Sequence, residues 1–414
     1  MSSSATSQCA LTTPKLHQPF EGDWDMTPYI DLSVLASRVQ RSGVDAAFLQ
    51  ELFDSPNLVT PQLLISRSVV SNNYRALKAA LPRVSIHYTM KPNNHPVFIE
   101  EINRLGGNFD VCSSGEIDIV TVTDINPATL IHSHPIKSIE EFDYAVSKGL
   151  EIFVVDNPEE VRKLSRYTHK KLKLLVRFRY HTNHSAVINL QYKFGCPENE
   201  VLELANMIEK SGHEFYGLCF HVGSQCINSE SYVKAIEVAH TLINELDMAG
   251  FNTQLLDIGG GFPVEYVQPV IPIEEFCQPI RFALDHHIRQ GISIVSEPGR
   301  YIAATPVTLV TTIIGKAFRD GKIWYYLDDG LYSTFSGIVY DQCQYPVICP
   351  RRGDQKLSVL AGPTCDSFDV MYDGLMIPEH EVGDRIIFAA TGAYCSVSGS
   401  DFNVLKRPEY TIVD

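Results

Sequence analysis

Short apolar runs, rich in β-branched and aromatic residues, recur between about residues 60 and 300. The first several are spaced by roughly 22 residues, and each has the length of a strand. The runs are Leu63-Leu64-Ile65, Ile86-His87-Tyr88, Asn108-Phe109-Asp110, Leu130-Ile131-His132, Ile152 to Val155, Leu174 to Phe178, Leu218 to His221, Leu255 to Ile258 and Ile292 to Val295. The pattern predicts a series of buried strands with room for a helix between most of them.

The segments between these runs have helical periodicity. Apolar residues fall on one face from Pro96 to Leu105, from Ile139 to Lys148 and from Glu198 to Lys210. Alternation of strand and helix for about eight units predicts a TIM-like (β/α)8 barrel over residues 61–305. A doubly wound parallel sheet has the same alternation, so it stays open as the alternative fold.

Residues 306–414 have a different pattern, with many strand-like runs and few helical periods. Thr308 to Ile314 and Ile323 to Leu327 are examples, and turn residues separate the runs. This predicts a second, C-terminal β domain of the β-sandwich or β-barrel type. Residues 1–60 are too few to fold alone, and we expect them to join this β domain.

Composition narrows the function. The 414 residues are 44% hydrophobic and 20% charged, which is typical of a globular protein with a large core. A net charge of −15 argues against a nucleic-acid partner and favours attraction of cationic small molecules. The ten cysteines contain no CxxC pair, so we expect no metal site, no disulfide framework and a reducing, cytoplasmic location. No apolar signal segment or membrane-spanning run is expected, and hence no membrane partner.

Two chemically informative residues each close an apolar run. Lys91 follows the run ending at Met90, and Glu297 opens Glu297-Pro298-Gly299-Arg300 about 200 residues later. An amine that bonds an aldehyde, and a carboxylate that keeps a pyridine nitrogen protonated, are the groups that pyridoxal phosphate chemistry requires. The pair therefore indicates pyridoxal 5'-phosphate as cofactor and an amino acid as substrate.

Other polar residues also follow the predicted strands. Barrel enzymes build their active sites where the carboxyl ends of the strands meet, so we expect these side chains at one mouth. They are Lys91, Asp110, Cys112, His134, Arg177, His221, Gly259-Gly260-Gly261 and Glu297 to Arg300. Backbone N–H groups of the glycines, and the hydroxyl of Ser224 in His221-Val222-Gly223-Ser224, are suited to a phosphate group.

Six segments resemble the signature blocks of the fold type III pyridoxal phosphate decarboxylases, which include ornithine, lysine, arginine and diaminopimelate decarboxylases. Because the blocks occur together and in order, from about residue 60 to 410, the resemblance is specific. The blocks are Tyr88 to Asn93, Phe220 to Ser224, Leu256 to Pro263, Ser296 to Tyr301, Gly362 to Asp366 and Gly392 to Tyr394.

The resemblance implies a role for each matching residue. Lys91 corresponds to the lysine that carries the cofactor, Glu297 to the partner of the ring nitrogen, and His221 to the residue stacked on the ring. Arg177 matches an arginine near the ring hydroxyl, and Asp110 and Glu116 match carboxylates that order the lysine and the histidine. The implied phosphate-binding set is Ser224, Gly260, Gly261, Gly299, Arg300 and Tyr394.

The family also implies a homodimer whose sites are shared between subunits. Cys365 would enter from the second subunit to protonate the substrate carbon after carbon dioxide leaves. Asp366 beside it would bind the distal amine of the substrate, and Phe402 would line the pocket. Tyr340-Asp341 matches the segment whose aspartate binds the same distal ammonium in ornithine decarboxylases.

We expect decarboxylation of a basic L-amino acid, L-ornithine to putrescine first, as in polyamine biosynthesis. Lysine stays open because it differs from ornithine by only one methylene. Arginine stays open because the family that the chain resembles includes arginine decarboxylases. Diaminopimelate is disfavoured, since Ser336 to Val339 lacks the arginine that its second carboxylate needs. Departures from the common family text at Asn189 to Phe194 and Ser396 to Asp401 leave a specialised, secondary-pathway substrate open. A racemase and a catalytically silent regulatory homologue are the alternatives of other classes.

Overall fold

The computed structural model of the chain describes residues 58–167, 169–180, 186–188 and 192–414. Most of the predicted N-terminal segment, residues 1–57, lies outside the described residues, as do Asn189, Leu190 and Gln191.

The strands are β1 (Gln62–Ile65), β2 (Val84–Thr89), β3 (Asn108–Val111), β4 (Ile131–His132), β5 (Ile152–Val155), β6 (Lys173–Arg177), β7 (Ala186–Ile188), β8 (Glu214–Cys219), β9 (Ser224–Cys226), β10 (Leu255–Asp257), β11 (Ser293–Ser296), β12 (Val307–Arg319), β13 (Lys322–Leu327), β14 (Val347–Ile348), β15 (Gln355–Ala361), β16 (Val370–Pro378), β17 (Arg385–Phe388) and β18 (Glu409–Ile412). The α-helices are α1 (Arg67–Ala80), α2 (Pro96–Arg104), α3 (Ser114–Thr121), α4 (Ile139–Ser147), α5 (Pro158–Leu164), α6 (Val201–Lys210), α7 (Glu230–Met248), α8 (Ile273–His287), α9 (Arg300–Ala303) and α10 (Ser336–Asp341).

Eight parallel strands close into a barrel in the order β10-β11-β2-β3-β4-β5-β6-β8. The predicted (β/α)8 barrel is therefore confirmed, and the doubly wound alternative is wrong. Its interior is apolar in the middle and becomes polar at the carboxyl end of the strands. Ile131, Val154 and Leu175 belong to the apolar part, and Thr89 pairs in register with Asp110 near the mouth.

A second sheet of eight strands contains β14-β17-β12-β13-β15-β16, together with β1 and β18. The predicted C-terminal β domain is confirmed, but one barrel strand was predicted wrongly. Leu63-Leu64-Ile65 lies in β1, which pairs antiparallel with β12 and parallel with β18. A strand buried between two neighbouring strands has the same apolar sequence pattern in either sheet. Periodicity alone therefore assigned this run to the wrong sheet. The domain boundaries near residues 60 and 305 stay predictions.

Residues close to Lys91 in the sequence hold the end of strand β2, which leads to Lys91, in place. Pro96 occupies the first turn of α2, and the side chain of His95 accepts a hydrogen bond from Val97 N–H at the start of that helix. The helix places Phe98 parallel to the ring of Tyr88 in β2, with ring centroids 6.1 Å apart. Burying a side chain of this size contributes about 1.5–3 kcal/mol. The Tyr88 hydroxyl also donates to the carbonyl of Asn93, 2.8 Å away, which closes the loop around Lys91.

The two sheets meet beside this loop. The Asn93 side-chain amide donates to the carbonyl of Gly392 at 2.9 Å, and Tyr394 N–H donates to the carbonyl of Pro92 at 3.0 Å. Residues of the second sheet's loops therefore reach the mouth of the barrel, next to Lys91.

Candidate active site

Lys91 is held at the barrel mouth by two polar side chains. Its Nζ lies 2.7 Å from Oδ2 of the fully buried Asp110 and 3.1 Å from the hydroxyl of Ser133. Desolvation lowers the pKa of Lys91, but attraction from Asp110 and Glu297 outweighs it and raises that pKa above its ordinary value. The Lys91 side chain is still 38% exposed, so a ligand can reach the amine. Asp110 therefore stabilises the charged form of the Lys91 amine.

A short helix, α3, follows Asp110, and hydrogen bonds at the start of this helix hold the neighbouring backbone in place. Ser113 caps α3 by accepting a hydrogen bond from Glu116 N–H at 3.3 Å. The carboxylate of Glu116 accepts from Cys112 N–H at 2.7 Å, and burial together with Asp110 raises its pKa. Glu116 thus fixes the backbone next to Asp110, and its implied role in ordering the lysine and the histidine stays a prediction.

Glu297 directly follows β11 and is buried. Its Oε1 has no hydrogen-bond partner among the described residues, and neither has Oδ2 of Asp257, the carboxyl that contacts it. Burial, Asp110 and Asp257 all raise the pKa of Glu297. A buried acceptor without a donor costs free energy, so this pair is suited to a ligand that brings a positively charged N–H.

His221 presents a neutral, flat ring to the same space. Its Nδ1 accepts a hydrogen bond from Gly223 N–H at 2.9 Å, which puts the ring proton on Nε2. Burial, with the positive charges of Arg177 and Lys91, lowers the pKa of His221 well below its ordinary value. An uncharged ring can pack against an aromatic cofactor without opposing the positive charge that Glu297 would stabilise.

The glycines next to His221 are required by close packing. A Cβ on Gly260 would lie 2.3 Å from the carbonyl oxygen of Glu297, and one on Gly261 would lie 2.1 Å from that of Gly223. Gly299 is similarly restricted, because its Cβ would approach Thr89 to 2.7 Å. Glycine is therefore required at these positions because the chain packs closely against itself here.

The positively charged Arg300 and the hydroxyl of Ser224 lie together on one side of the site. Arg300 Nη2 donates to the Ser224 hydroxyl at 2.9 Å, and the guanidinium carbon lies 4.8 Å from the centre of the Tyr394 ring. Arg177 ends β6, and its guanidinium carbon lies 5.4 Å from the ring centre of Phe194. All the predicted cofactor-binding residues thus surround the barrel mouth.

The predicted substrate residues fall into two clusters. Asp341 is partly buried and its Oδ2 pairs with Arg300 Nη2 at 2.5 Å, while the preceding Tyr340 is exposed. Asp366 accepts hydrogen bonds from the Tyr332 hydroxyl and from Phe368 N–H.

Cys365 and Phe402 belong to the second of these clusters. Cys365 is exposed, with its Sγ 3.4 Å from Oδ1 of Asn403. Phe402 stacks on Tyr332 with ring centroids 4.4 Å apart. The Tyr332 hydrogen bond lowers the pKa of Asp366. Within one chain, the structure therefore gives the thiol and Asp366 neighbours different from those of Lys91 and Asp341.

Four residues of these clusters were not predicted. Ser133 contacts Lys91, Asp257 contacts Glu297, and Tyr266 accepts a hydrogen bond from Arg300 at 3.0 Å. Tyr332 contacts Asp366 and Phe402. Asp257 stands inside the sequence block Leu256 to Pro263, and its place in that block is a signal that points to the site. Nothing in the sequence singles out the other three.

Comparison with known proteins identifies the family. The family model described as pyridoxal-dependent decarboxylase, pyridoxal binding domain, matches residues 67–304. The lysine/ornithine decarboxylase of Selenomonas ruminantium is 36% identical over 345 residues, covering 83% of this chain and 87% of that protein. The chain belongs to the pyridoxal-dependent decarboxylases. The predicted cofactor, pyridoxal phosphate, and the predicted enzyme class are confirmed.

Two further relatives widen the comparison. A solved structure of lysine/ornithine decarboxylase from Vibrio vulnificus, complexed with putrescine, is 36% identical with a TM-score of 0.83, covering 92% of this chain and 99% of that one. Antizyme inhibitor 2 of Xenopus laevis is 33% identical over 357 residues, covering 82% of this chain and 77% of that protein.

Pyridoxal phosphate fits the residues of this decarboxylase. Asp110, Asp257 and Glu297 place three buried carboxyls beside two cations, Lys91 and Arg177, and a protonated ring nitrogen would supply a third positive charge. The Oε1 of Glu297, which has no hydrogen-bond partner in the described part of the chain, would accept that N–H. No group of three or more metal-ligating side chains occurs in the described part of the chain. Of the helices described, none is long and apolar enough to cross a membrane.

Proposed function

We propose that this enzyme removes the carboxyl group of a basic L-amino acid, with L-ornithine as first substrate and L-lysine as second. The observation that carries the proposal is the Lys91 amine, 2.7 Å from buried Asp110 and beside Glu297, whose Oε1 has no hydrogen-bond partner among the described residues. The Selenomonas and Vibrio relatives, both named lysine/ornithine decarboxylase, support the substrate class. The net charge of −15 also favours a cationic substrate.

In this proposal the chain's own residues divide the work of holding the cofactor. Lys91 would hold the cofactor at its aldehyde carbon, and Asp110 would orient the Lys91 amine. His221 packs on the ring, and Arg177 lies on the side of the ring hydroxyl. The phosphate is held by the hydroxyls and guanidinium at one edge of the site and by backbone N–H groups of the glycines, namely Ser224, Gly260, Gly261, Gly299, Arg300 and Tyr394.

When bound, the cofactor withdraws the electron pair that carbon dioxide leaves on the α carbon. Glu297 keeps the ring nitrogen protonated, so that this withdrawal is effective. Because Glu297 is buried, its electrostatic effect on the ring nitrogen is strong. The Cys365 thiol then returns a proton to the α carbon. Asp341 and Asp366 bind the distal ammonium, and Tyr340 and Phe402 line the substrate side.

The proposal includes a homodimer in which Cys365, Asp366 and Phe402 of one subunit complete the site of the other. Support comes from the exposure of Cys365 and from its clustering with Asp366 and Phe402, apart from Lys91. Free thiols at all nine cysteines of the described residues agree with action in a reducing, cytosolic compartment.

An amine-release screen tests the activity. Purified protein with added pyridoxal phosphate should release diamine from L-ornithine and L-lysine, and little or no amine from L-norvaline, which has the length of ornithine without its distal ammonium. Borohydride reduction should trap a pyridoxyl group on Lys91, and Lys91→Ala should lose it. Lys193→Ala is the matched control, since Lys193 lies on the ring of Phe194. A pyridoxyl group retained in Lys91→Ala, or no release from any basic amino acid, would contradict the proposal.

A further inference from the structure

The guanidinium of Arg300 has two edges with different partners. On one edge Nη1 donates to neutral acceptors, the Tyr266 hydroxyl at 3.0 Å and Cys343 Sγ at 3.4 Å. On the other edge Nε and Nη2 both donate to the Ser224 hydroxyl, at 3.3 and 2.9 Å. Nη2 also donates to Oδ2 of Asp341 at 2.5 Å. The edge that faces Ser224 therefore also carries a carboxylate.

This arrangement creates a conflict between two anions. A phosphate held jointly by Ser224 and Arg300 must use the Nε and Nη2 edge, because that is the edge the two residues share. Asp341 contacts the same Nη2. A phosphate group carries up to two negative charges, so the two anions repel one another and compete for the same N–H donors.

Burial makes this competition energetically significant. The side chains of Arg300 and Asp341 are only 4% and 11% exposed. Opposite charges attract strongly where water is excluded, and a buried charge that loses its partner is costly. Asp341 can therefore leave Arg300 readily only if another cation takes the place of the guanidinium.

The position of Asp341 in the fold allows such a change. It is the last residue of the short helix α10, and the next residue, Gln342, has a left-handed backbone with φ of 52°. Tyr340 on the other side is 68% exposed. The carboxylate thus lies at the end of an element, with few neighbours holding the adjoining side chain.

We propose that Asp341 is an exchangeable counter-ion of Arg300. It competes with the cofactor phosphate for the guanidinium, and the distal ammonium of a basic substrate draws it away, so that phosphate and substrate bind with positive coupling. The inference rests on the proposed function, which gives Asp341 the distal ammonium as its second partner. By thermodynamic reciprocity, each ligand then raises the affinity of the other by the same factor.

The test uses full-length protein from which the cofactor has been dialysed, with pyridoxine 5'-phosphate as probe. This compound has the ring and the phosphate but no aldehyde, so it binds without reacting, and ornithine can be present without turnover. Titration calorimetry should show that saturating L-ornithine tightens probe binding to wild type about five- to tenfold, a typical coupling. L-Norvaline, which lacks the distal ammonium, should leave the affinity unchanged.

Asp341→Asn keeps the shape of the side chain and removes its charge. It should bind the probe about tenfold more tightly than wild type without any amino acid, and ornithine should add little further. Asp354→Asn is the control, because Asp354 is an exposed aspartate outside the site. It should leave the affinity for the probe alone unchanged.

Two outcomes would overturn the proposal. One is unchanged or weaker probe binding by Asp341→Asn, which would make Asp341 a bystander or a support of Arg300. The other is equal effects of ornithine and norvaline on wild type, an arm that does not depend on any variant folding. Failure of the proposed function is distinguishable, because wild type would then release no diamine from L-ornithine or L-lysine in the amine-release screen.

Discussion

Replacing Asp257 with asparagine separates two carboxyls that share the buried floor of the active site. Asp257 and Glu297 contact one another, and each has an oxygen without a hydrogen-bond donor among the described residues. The other oxygen of Asp257 accepts Gly259 N–H at 2.8 Å, a bond that an asparagine carbonyl can retain. Its amide N–H₂ can donate to Glu297. The substitution therefore removes a charge and supplies a donor in nearly the same volume.

The sign of the effect follows from the pKa shifts. Burial is the largest cause that raises the pKa of both carboxyls in the folded protein, and their proximity adds to it for Glu297. A group of this kind contributes stability that is fully present below its unfolded pKa of about 4 and is lost as pH rises through its folded value. Wild type should lose stability from pH 5 to pH 8 that Asp257→Asn keeps.

The size of the stability difference between Asp257→Asn and wild type depends on how far the pKa values of the carboxyls are shifted. One pKa unit corresponds to about 1.4 kcal/mol, and fully buried carboxyls are shifted by up to several units. We expect Asp257→Asn to be more stable than wild type by roughly 1–3 kcal/mol at pH 8, and by less at pH 5. Any loss from altered packing is the same at both pH values, so the difference between them is the diagnostic quantity.

The measurement is urea unfolding of cofactor-free protein at pH 5 and pH 8. Asp354→Asn is the control, because Asp354 is an exposed aspartate outside the site. A stability difference between Asp257→Asn and wild type that is equal at both pH values, or larger at pH 5, would refute the reasoning. The two carboxyls would then titrate as solvated groups, and the account of Glu297 as a buried acceptor would fail with it.

Two further predictions concern catalysis. Glu297→Ala should cost about 2–4 kcal/mol of transition-state stabilisation, measured as kcat/KM for L-ornithine, and a rate within about threefold of wild type would contradict its role at the ring nitrogen. Mixing inactive Lys91→Ala with inactive Cys365→Ala should restore about a quarter of wild-type activity, because half of the randomly formed dimers hold one intact site. No recovery after subunit exchange has been demonstrated would mean that one chain builds the whole site.

The barrel could be predicted because each of its strands is an apolar run followed by a segment of helical period. The eight runs from Ile86 to Val295 all became barrel strands in the structure. Leu63 to Ile65 was the exception, since its partners β12 and β18 come about 240 and 350 residues later. Pairing between strands so far apart in the sequence depends on the tertiary fold, and local periodicity carries no information about it.

The candidate site was predictable where a residue's chemistry and its place in a motif agreed. Lys91, His221, Glu297 and Arg300 stand in recognisable blocks, and the structure gathers them at one mouth. Ser133 was missed because a serine hydroxyl has many ordinary uses, and only the structure brings it within 3.1 Å of Lys91. Contacts of this kind depend on side-chain directions from strands that are neighbours only in the closed barrel.

Asp341 illustrates a different limit. The sequence predicts one partner for it, the distal ammonium of a substrate, because its motif matches the ammonium-binding segment of ornithine decarboxylases. The structure gives it a second, Arg300, which belongs to the barrel while Asp341 follows two strands of the other sheet. An acidic residue with two cationic partners links the occupancy of their sites, since one partner releases it only when the other takes it. On the proposal above, the charge of Asp341 weakens cofactor binding until a basic substrate draws it away from Arg300. A change of substrate preference engineered at Asp341 should therefore also change the affinity for pyridoxal phosphate.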